Sequence, residues 1–177
     1  MVTYKDILTE TMGIIAEEPR VVFVGYGVKF GRVGGTLSKV QESQLIEMPL
    51  AEALMAGVCI GMSIKGLIPV LVIERYDFIL LAMDQIVNQL DKLCKLSNGI
   101  HKPAVIIRVI QGSRNTPLFT GPTHTQSFST AMRHLVTFPV IDLKWGSSIE
   151  PQYRWALEQA KLGKSTLLVE DRDLYSL

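Results

Sequence analysis

Charge of one sign is what this chain most plainly lacks. Its 177 residues carry 18 Lys and Arg against 17 Asp and Glu, a formal net charge of +1 with no basic stripe and no acidic tail. That balance argues against an electrostatic nucleic-acid binder, which gathers cations on one surface. Long hydrophobic runs are missing as well. The longest strongly apolar, uncharged stretch, 53–64, has 12 residues, short of the ~20 a helix needs to cross a bilayer. No membrane span is expected. The N-terminus has acids within its first ten residues and no apolar core ahead of a small-residue cleavage site, so no secretory signal is expected either. Cysteine is scarce: Cys59 and Cys94 form no CxxC pair and lie in apolar helical patterns. Both are expected to be reduced core thiols of a cytoplasmic protein. His101, His124 and His134 stand at no spacing that gathers them with a carboxylate on one helical face, so no metal is assigned to this chain. A serine elbow, G-x-S-x-G, is absent too.

What is present is apolar. Hydrophobic residues make up 47% and charged ones 20%, an excess that suggests a buried subunit interface. The length fits one domain, 1–177, with room for a proper core. Short β-branched runs at 21–25, 44–48, 69–73, 104–110, 138–143 and 166–170 alternate with helical patterns at 3–17, 50–65, 77–97, 125–135 and 149–161. Several of the runs are apolar on both faces, as covered parallel strands are. The alternation predicts an α/β fold, a doubly wound, mostly parallel sheet with helices on both faces.

Three loops follow predicted strands: GYGVKFGRVGG (25–35), ERYDF (74–78) and QGSRNTPLFTGPTHTQS (111–127). Ligands of open α/β sheets sit beyond the carboxyl ends of the strands, so one functional rim is expected there. Neither phosphate motif fits the first loop. Phe30 occupies the third position of G-x-G-x-x-G, and no lysine follows Gly34 and Gly35. Its glycines are expected to supply positive φ, and a nucleotide-binding flavodoxin-like reading has little support. His124 is the one histidine on the rim, open to a catalytic role or to an ordinary backbone hydrogen bond. Arg75, Arg108 and Arg114 are placed on the same rim, where they could meet a carboxylate or phosphate or stay solvated.

The stretch EMPLAEALMAGVCIGMSIKG (47–66) holds one acid near the start of an apolar helix. Pro49 suits a first helical position, and Glu52 suits the positive end of the macrodipole. Ala53, Gly57 and Gly61, spaced by four, form a smooth stripe. Interior glycines cost a helix about 1 kcal/mol each, which a close helix contact across a subunit interface would offset. Such a contact would also keep Glu52 dry.

Glu52 followed by Gly57, Val58 and Gly61, then Phe78, Asp84-Gln85-Ile86 with Asn88, His124-to-Ser127 and LLVEDRDLY, resembles the pyrimidine-binding domain of thiamine-diphosphate-dependent enzymes. The order and spacing are similar to the beta subunit of the 2-oxoacid dehydrogenase decarboxylating component and to transketolase central domains. The resemblance implies that Glu52 hydrogen-bonds the 1′ nitrogen of the aminopyrimidine, that Phe78 stacks on that ring, that Leu50 lines its pocket and that His124 faces the substrate. Tyr26 and Glu74, which stand where the family usually carries a carboxylate and a methionine, complete the implied cofactor wall. The diphosphate-binding domain, with its G-D-G start and magnesium ligands, and the C-terminal domain have no counterpart in these residues. The implied protein is therefore the small subunit of a split enzyme that cleaves a ketose or 2-oxoacid and transfers the fragment, by transketolase-like carboligation or decarboxylation. A larger chain would hold the diphosphate and magnesium. The expected assembly is a heterotetramer with self-contact through helix 50–65. A 2-oxoacid dehydrogenase beta-type subunit and a non-catalytic scaffold that keeps the fold are the alternatives.

Overall fold

The six β-branched runs come together as one parallel sheet in the computed structural model, which describes residues 2–119 and 121–177. Its strands are β1 (Val21–Gly25), β2 (Leu45–Glu47), β3 (Ile68–Ile73), β4 (Ile106–Gln111), β5 (Val140–Leu143) and β6 (Thr166–Asp171). They lie in the order β2-β1-β3-β4-β6-β5, every neighbouring pair parallel. The expected fold class holds. Strand order reverses between β1 and β3, so their carboxyl ends diverge into a crevice.

Alternate strand residues serve two cores. On one face Val21, Phe23, Val70, Ile106 and Leu168 pack against α1 (Tyr4–Ile15) and α5 (Gly146–Lys161). Across the sheet, Val22, Val24, Leu71, Ile107 and Val169 pack against α2 (Glu52–Ile64) and α4 (Ser129–Leu135). The start of α1 is set by a capping box: the Asp6 N–H donates to Thr3 Oγ1 at 3.1 Å, and the Thr3 N–H donates to Asp6 Oδ2 at 2.9 Å. Among the described residues no helix is long and apolar enough to cross a membrane.

Two helical expectations need correction. Pro49 lies outside α2, which starts at Glu52 behind Ala51. The Met48 N–H still pairs with the Gly25 carbonyl at 2.9 Å, so the chain continues as strand-like backbone and turns into the helix only afterwards. The pattern at 77–97 is not one helix. It divides into a 3₁₀ helix (Tyr76–Ala82), a π-helical segment (Asp84–Leu90) and the four-residue α3 (Leu93–Leu96). Tyr76, Ile79 and Ala82 are all fully buried and spaced by three. A 3₁₀ helix, with three residues per turn, keeps such a set on one face. At the end of the π-helical segment the Asp91 N–H reaches the Ile86 carbonyl, five residues back.

The cysteines also separate. Cys59 is fully buried, whereas Cys94, on α3, is exposed because that short helix buries none of its residues.

Candidate functional site

The cleft at the β1/β3 crevice is built by segments distant in sequence. After β1 the chain turns through Tyr26 and Gly27, and Glu47 at the end of β2 ties that turn down. Its carboxylate accepts the Gly27 N–H at 2.6 Å and the Lys29 N–H at 2.7 Å. Gly27 has φ +75 and a Cβ there would stand 3.1 Å from Glu74 Oε1, so turn and neighbour together call for glycine. Val33, also at positive φ, is a costly conformation for a β-branched residue, held by its burial in the core.

Tyr26, Leu50, Glu52, Glu74, Phe78 and His124, every site residue expected from the sequence, line one cavity of about 210 Å³. Met55, Arg75 and Leu118, which sequence reasoning did not assign to the cofactor wall, line it with them. Leu50 is 64% exposed at the mouth, and Glu52 is 4% exposed at the first turn of α2. Among the described residues the Glu52 carboxylate has no hydrogen-bond or ion-pair partner. Phe78 and His124 meet edge to face, with ring centroids 5.1 Å apart and planes at 88°. Thr123 Oγ1 lies 3.0 Å from His124 Nδ1. The histidine loop can come this close because residue 112 is glycine: a Cβ there would lie 1.7 Å from the His124 carbonyl oxygen. Burial holds the Glu74 carboxyl above its ordinary value, against the pull of the Arg75 and Arg108 cations.

The arginines part company. Arg75 is on the cleft wall and donates from Nη1 to the Glu74 carbonyl at 2.7 Å. Arg114 pairs on the surface with Asp171 at 3.0 Å. Arg108 is not on the rim at all. It is fully buried on the α1/α5 side, bidentate to Glu170 through Nε at 2.7 Å and Nη2 at 3.0 Å. Its Nη2 also donates to Thr36 Oγ1 at 2.9 Å. The Tyr153 and Tyr175 hydroxyls donate to Glu170 at 2.7 Å and 2.5 Å. Desolvation is the largest single influence and works against the Arg108 cation, yet the charge and hydrogen bond of Glu170, together with Tyr153 and Tyr175, outweigh it and raise the guanidinium further above its ordinary value. Beside the cleft, sharing Arg75 and Leu118 with it, a recess of about 470 Å³ carries Lys5 and Arg172. The Arg172 guanidinium sits 4.6 Å above the Tyr175 ring.

Residues 1–106 match the family described as transketolase, pyrimidine binding domain. The chain belongs to that family. Among curated relatives of this pyrimidine-binding chain is a pyruvate dehydrogenase E1 component subunit beta from Chlorokybus atmophyticus. It is 34% identical over 51% of this chain and 29% of its own length. The human mitochondrial subunit beta is 24% identical over 82% of this chain and 41% of its own. The chain thus spans less than half the length of the curated relatives it matches. Among solved structures, a split-gene transketolase described as an inactive β4 tetramer superposes with a TM-score of 0.74 at 17% identity. The match covers 97% of this chain and 52% of that one. That likeness shows the fold.

Proposed function

We propose that this chain is the pyrimidine-binding subunit of a thiamine-diphosphate-dependent enzyme and is active only when joined to a second chain. The observation that carries the reading is Glu52: a carboxylate 4% exposed, without a partner among the described residues, opening into a cleft beside an aromatic ring. A carboxylate that lines the cleft without a partner from its own chain is placed to accept from a donor bound there. An aminopyrimidine would supply one, and Phe78, Leu50 and Met55, which line the same cavity, offer apolar surface to its flat ring. When bound, thiamine diphosphate supplies a nucleophilic carbon and an electron sink. With the cofactor bound, Glu52 would share a proton with a nitrogen of its pyrimidine ring, Phe78 would hold that ring, and Tyr26 and Glu74 would close the remaining wall. His124, held against Phe78, orients the reacting group of the substrate.

The cleft is open, and the glycine-rich loop that follows β1 beside it carries neither phosphate-binding motif. Among the described residues no three His, Cys, Asp or Glu side chains gather as a metal site. A larger chain holding diphosphate and magnesium therefore completes the site, two copies of each chain forming a heterotetramer. The outward face of α2 suits self-contact within it. Nothing lies within 4 Å of a Cβ built on Gly57 or Gly61, and Leu54 and Ile64 flank that stripe at 50% and 41% exposure. The Lys5, Arg75 and Arg172 recess next to the cleft favours a donor substrate with a carboxylate or phosphate.

Co-expression with a neighbouring reading frame that encodes a G-D-G diphosphate motif, then mass spectrometry of the copurified complex, tests the reading. Thiamine diphosphate is expected in the complex. Glu52→Gln should leave assembly intact while lowering turnover about 10²–10⁴-fold. Wild-type turnover in that variant removes the proposed role of Glu52. Tight cofactor binding with turnover by this chain alone, as a monomer, removes the split-site reading.

A further inference from the structure

Three consecutive residues at the start of the 3₁₀ helix Tyr76–Ala82 clasp the histidine loop. Tyr76 meets Phe128 edge to face, with ring centroids 5.8 Å apart and planes at 88°. Asp77 Oδ1 accepts the Gln126 side-chain amide, Nε2, at 2.9 Å and the Gln126 backbone N–H at 3.3 Å. Phe78 makes the edge-to-face contact with His124. Each step forward along the helix is matched by a step of two residues back along the loop, so alternate loop residues are engaged. One end of the clasp is anchored by packing: Phe128 lies against the same core cluster as Tyr76, and α4 begins at the next residue. His124 stands at the other end, on the cleft wall. Between the two ends is a carboxylate where packing alone would place an apolar side chain. Asp77 is 6% exposed, and among the described residues Gln126 supplies all its hydrogen-bond donors, Oδ2 having none. A buried carboxylate costs stability unless its hydrogen bonds compensate.

We propose that Asp77 is a positioning residue that, through Gln126, keeps His124 against Phe78 and on the wall of the Glu52 cleft. A single edge-to-face contact gains less than the backbone entropy lost in ordering the loop residues on either side of it, so the Phe78 ring does not hold His124 alone. The charge-assisted bond from Gln126 Nε2 adds the missing constraint. The Gln126 backbone N–H is engaged by the same oxygen, so the main chain of the loop is held along with the side chain. Asp77 does not line the cleft, and it acts only through the loop it holds. The catalytic consequence rests on the role proposed for His124, whereas the clasp itself does not.

Aromatic NOE spectra of the full chain, recorded without cofactor or second chain, test this. Wild type should show a cross-peak between the His124 and Phe78 ring protons, assigned by its loss in Phe78→Leu. Asp77→Ala should lose that cross-peak. Asp77→Asn keeps an accepting oxygen for Gln126 and should retain it. Gln126 is exposed, so Gln126→Ala should fold as wild type, keep the Tyr76–Phe128 cross-peak and lose the His124–Phe78 one. General loosening of the fold would weaken both cross-peaks together. The proposal is overturned if the His124–Phe78 cross-peak is missing from wild type or survives in Gln126→Ala, if it disappears in Asp77→Asn as in Asp77→Ala, or if Gln126→Ala loses both cross-peaks. Because no ligand is present, absence of thiamine diphosphate from the copurified complex would remove the proposed function and leave these outcomes as they are.

Discussion

Replacing Arg108 by Met should remove a large part of the protein's stability, and replacing Glu170 by Gln in the same chain should restore most of it. Both side chains of the pair are fully buried, and the contact is bidentate. Arg108→Met leaves the Glu170 carboxylate in the core with only the two tyrosine hydroxyls as donors. Breaking a buried pair from one side costs about 3–5 kcal/mol. For a chain of this length, that corresponds to a fall in Tm of roughly 6–20 °C. The double variant removes both charges but keeps an amide that can accept from one tyrosine and donate to the other. Its residual cost, from the lost Thr36 contact and one rearranged hydroxyl, is about 1–2 kcal/mol. Urea unfolding followed by tyrosine and tryptophan fluorescence, run on wild type, both single variants and the double, gives the coupling energy directly. A coupling of about 2 kcal/mol or more is expected. Additive effects, or a loss under 1 kcal/mol in Arg108→Met, would refute the ion pair as described.

Three shorter tests address the cleft and the thiols. Because Glu74 is held above its ordinary value chiefly by burial, the folded state binds its proton more tightly than the unfolded state does, so this carboxyl costs stability as pH rises past about 4.5. Glu74→Gln should therefore raise Tm at pH 7 and change it little at pH 4; a gain confined to pH 4 would reverse that sign. Gly112→Ala would drive a methyl into the His124 carbonyl, so it should displace the histidine loop and lower cofactor affinity in the assembled enzyme by more than ten-fold. Unchanged affinity would contradict the packing. Burial pushes the Cys59 thiol up while Cys94 is exposed, so a disulfide reagent at pH 8 should titrate one thiol per native chain quickly and the second only in denaturant. Two fast equivalents would place Cys59 outside the core.

How much of this was legible in the sequence depended on whether a feature could be read along one strand and its following loop. Tyr26, Glu74 and His124 each follow a strand, and parallel strands bring their carboxyl ends to one rim, so residues 98 positions apart meet in one cleft. Leu50, Glu52 and Phe78 were assigned through the resemblance to the pyrimidine-binding family, and the geometry gathers them in one cavity. Arg108 was misplaced for the opposite reason. A single charge in a β-branched run carries no mark of which face or partner it has, and its partner Glu170 lies 62 residues away. The two meet because β4 pairs with β6 rather than with β5, which sets Ile110 beside Glu170 and Arg108 beside Leu168 on the α1/α5 side. Strand order is a property of the whole chain. Glu47 was missed in the same way, since its hold on the Gly27 and Lys29 amides exists only once β2 lies in register beside β1.

The same dependence explains why the cleft is braced on one side and open on the other. Glu47, Gly112 and the Phe78–His124 contact fix the walls from within the chain, through hydrogen bonds and close approaches that need no partner. Leu50, Tyr26 and the α2 stripe at Gly57 and Gly61 remain exposed on the outer side. An unpartnered buried carboxylate beside preset walls and an uncovered apolar rim is an arrangement whose stabilising contacts are incomplete in the isolated chain. Closing that rim with a second chain would bury the leucines and exclude water from Glu52 in one step. Assembly and activation of the site are on this reading the same event, and subunit dissociation should abolish cofactor affinity and turnover in parallel. Tight cofactor binding that survives dilution below the assembly constant would separate the two and break that link.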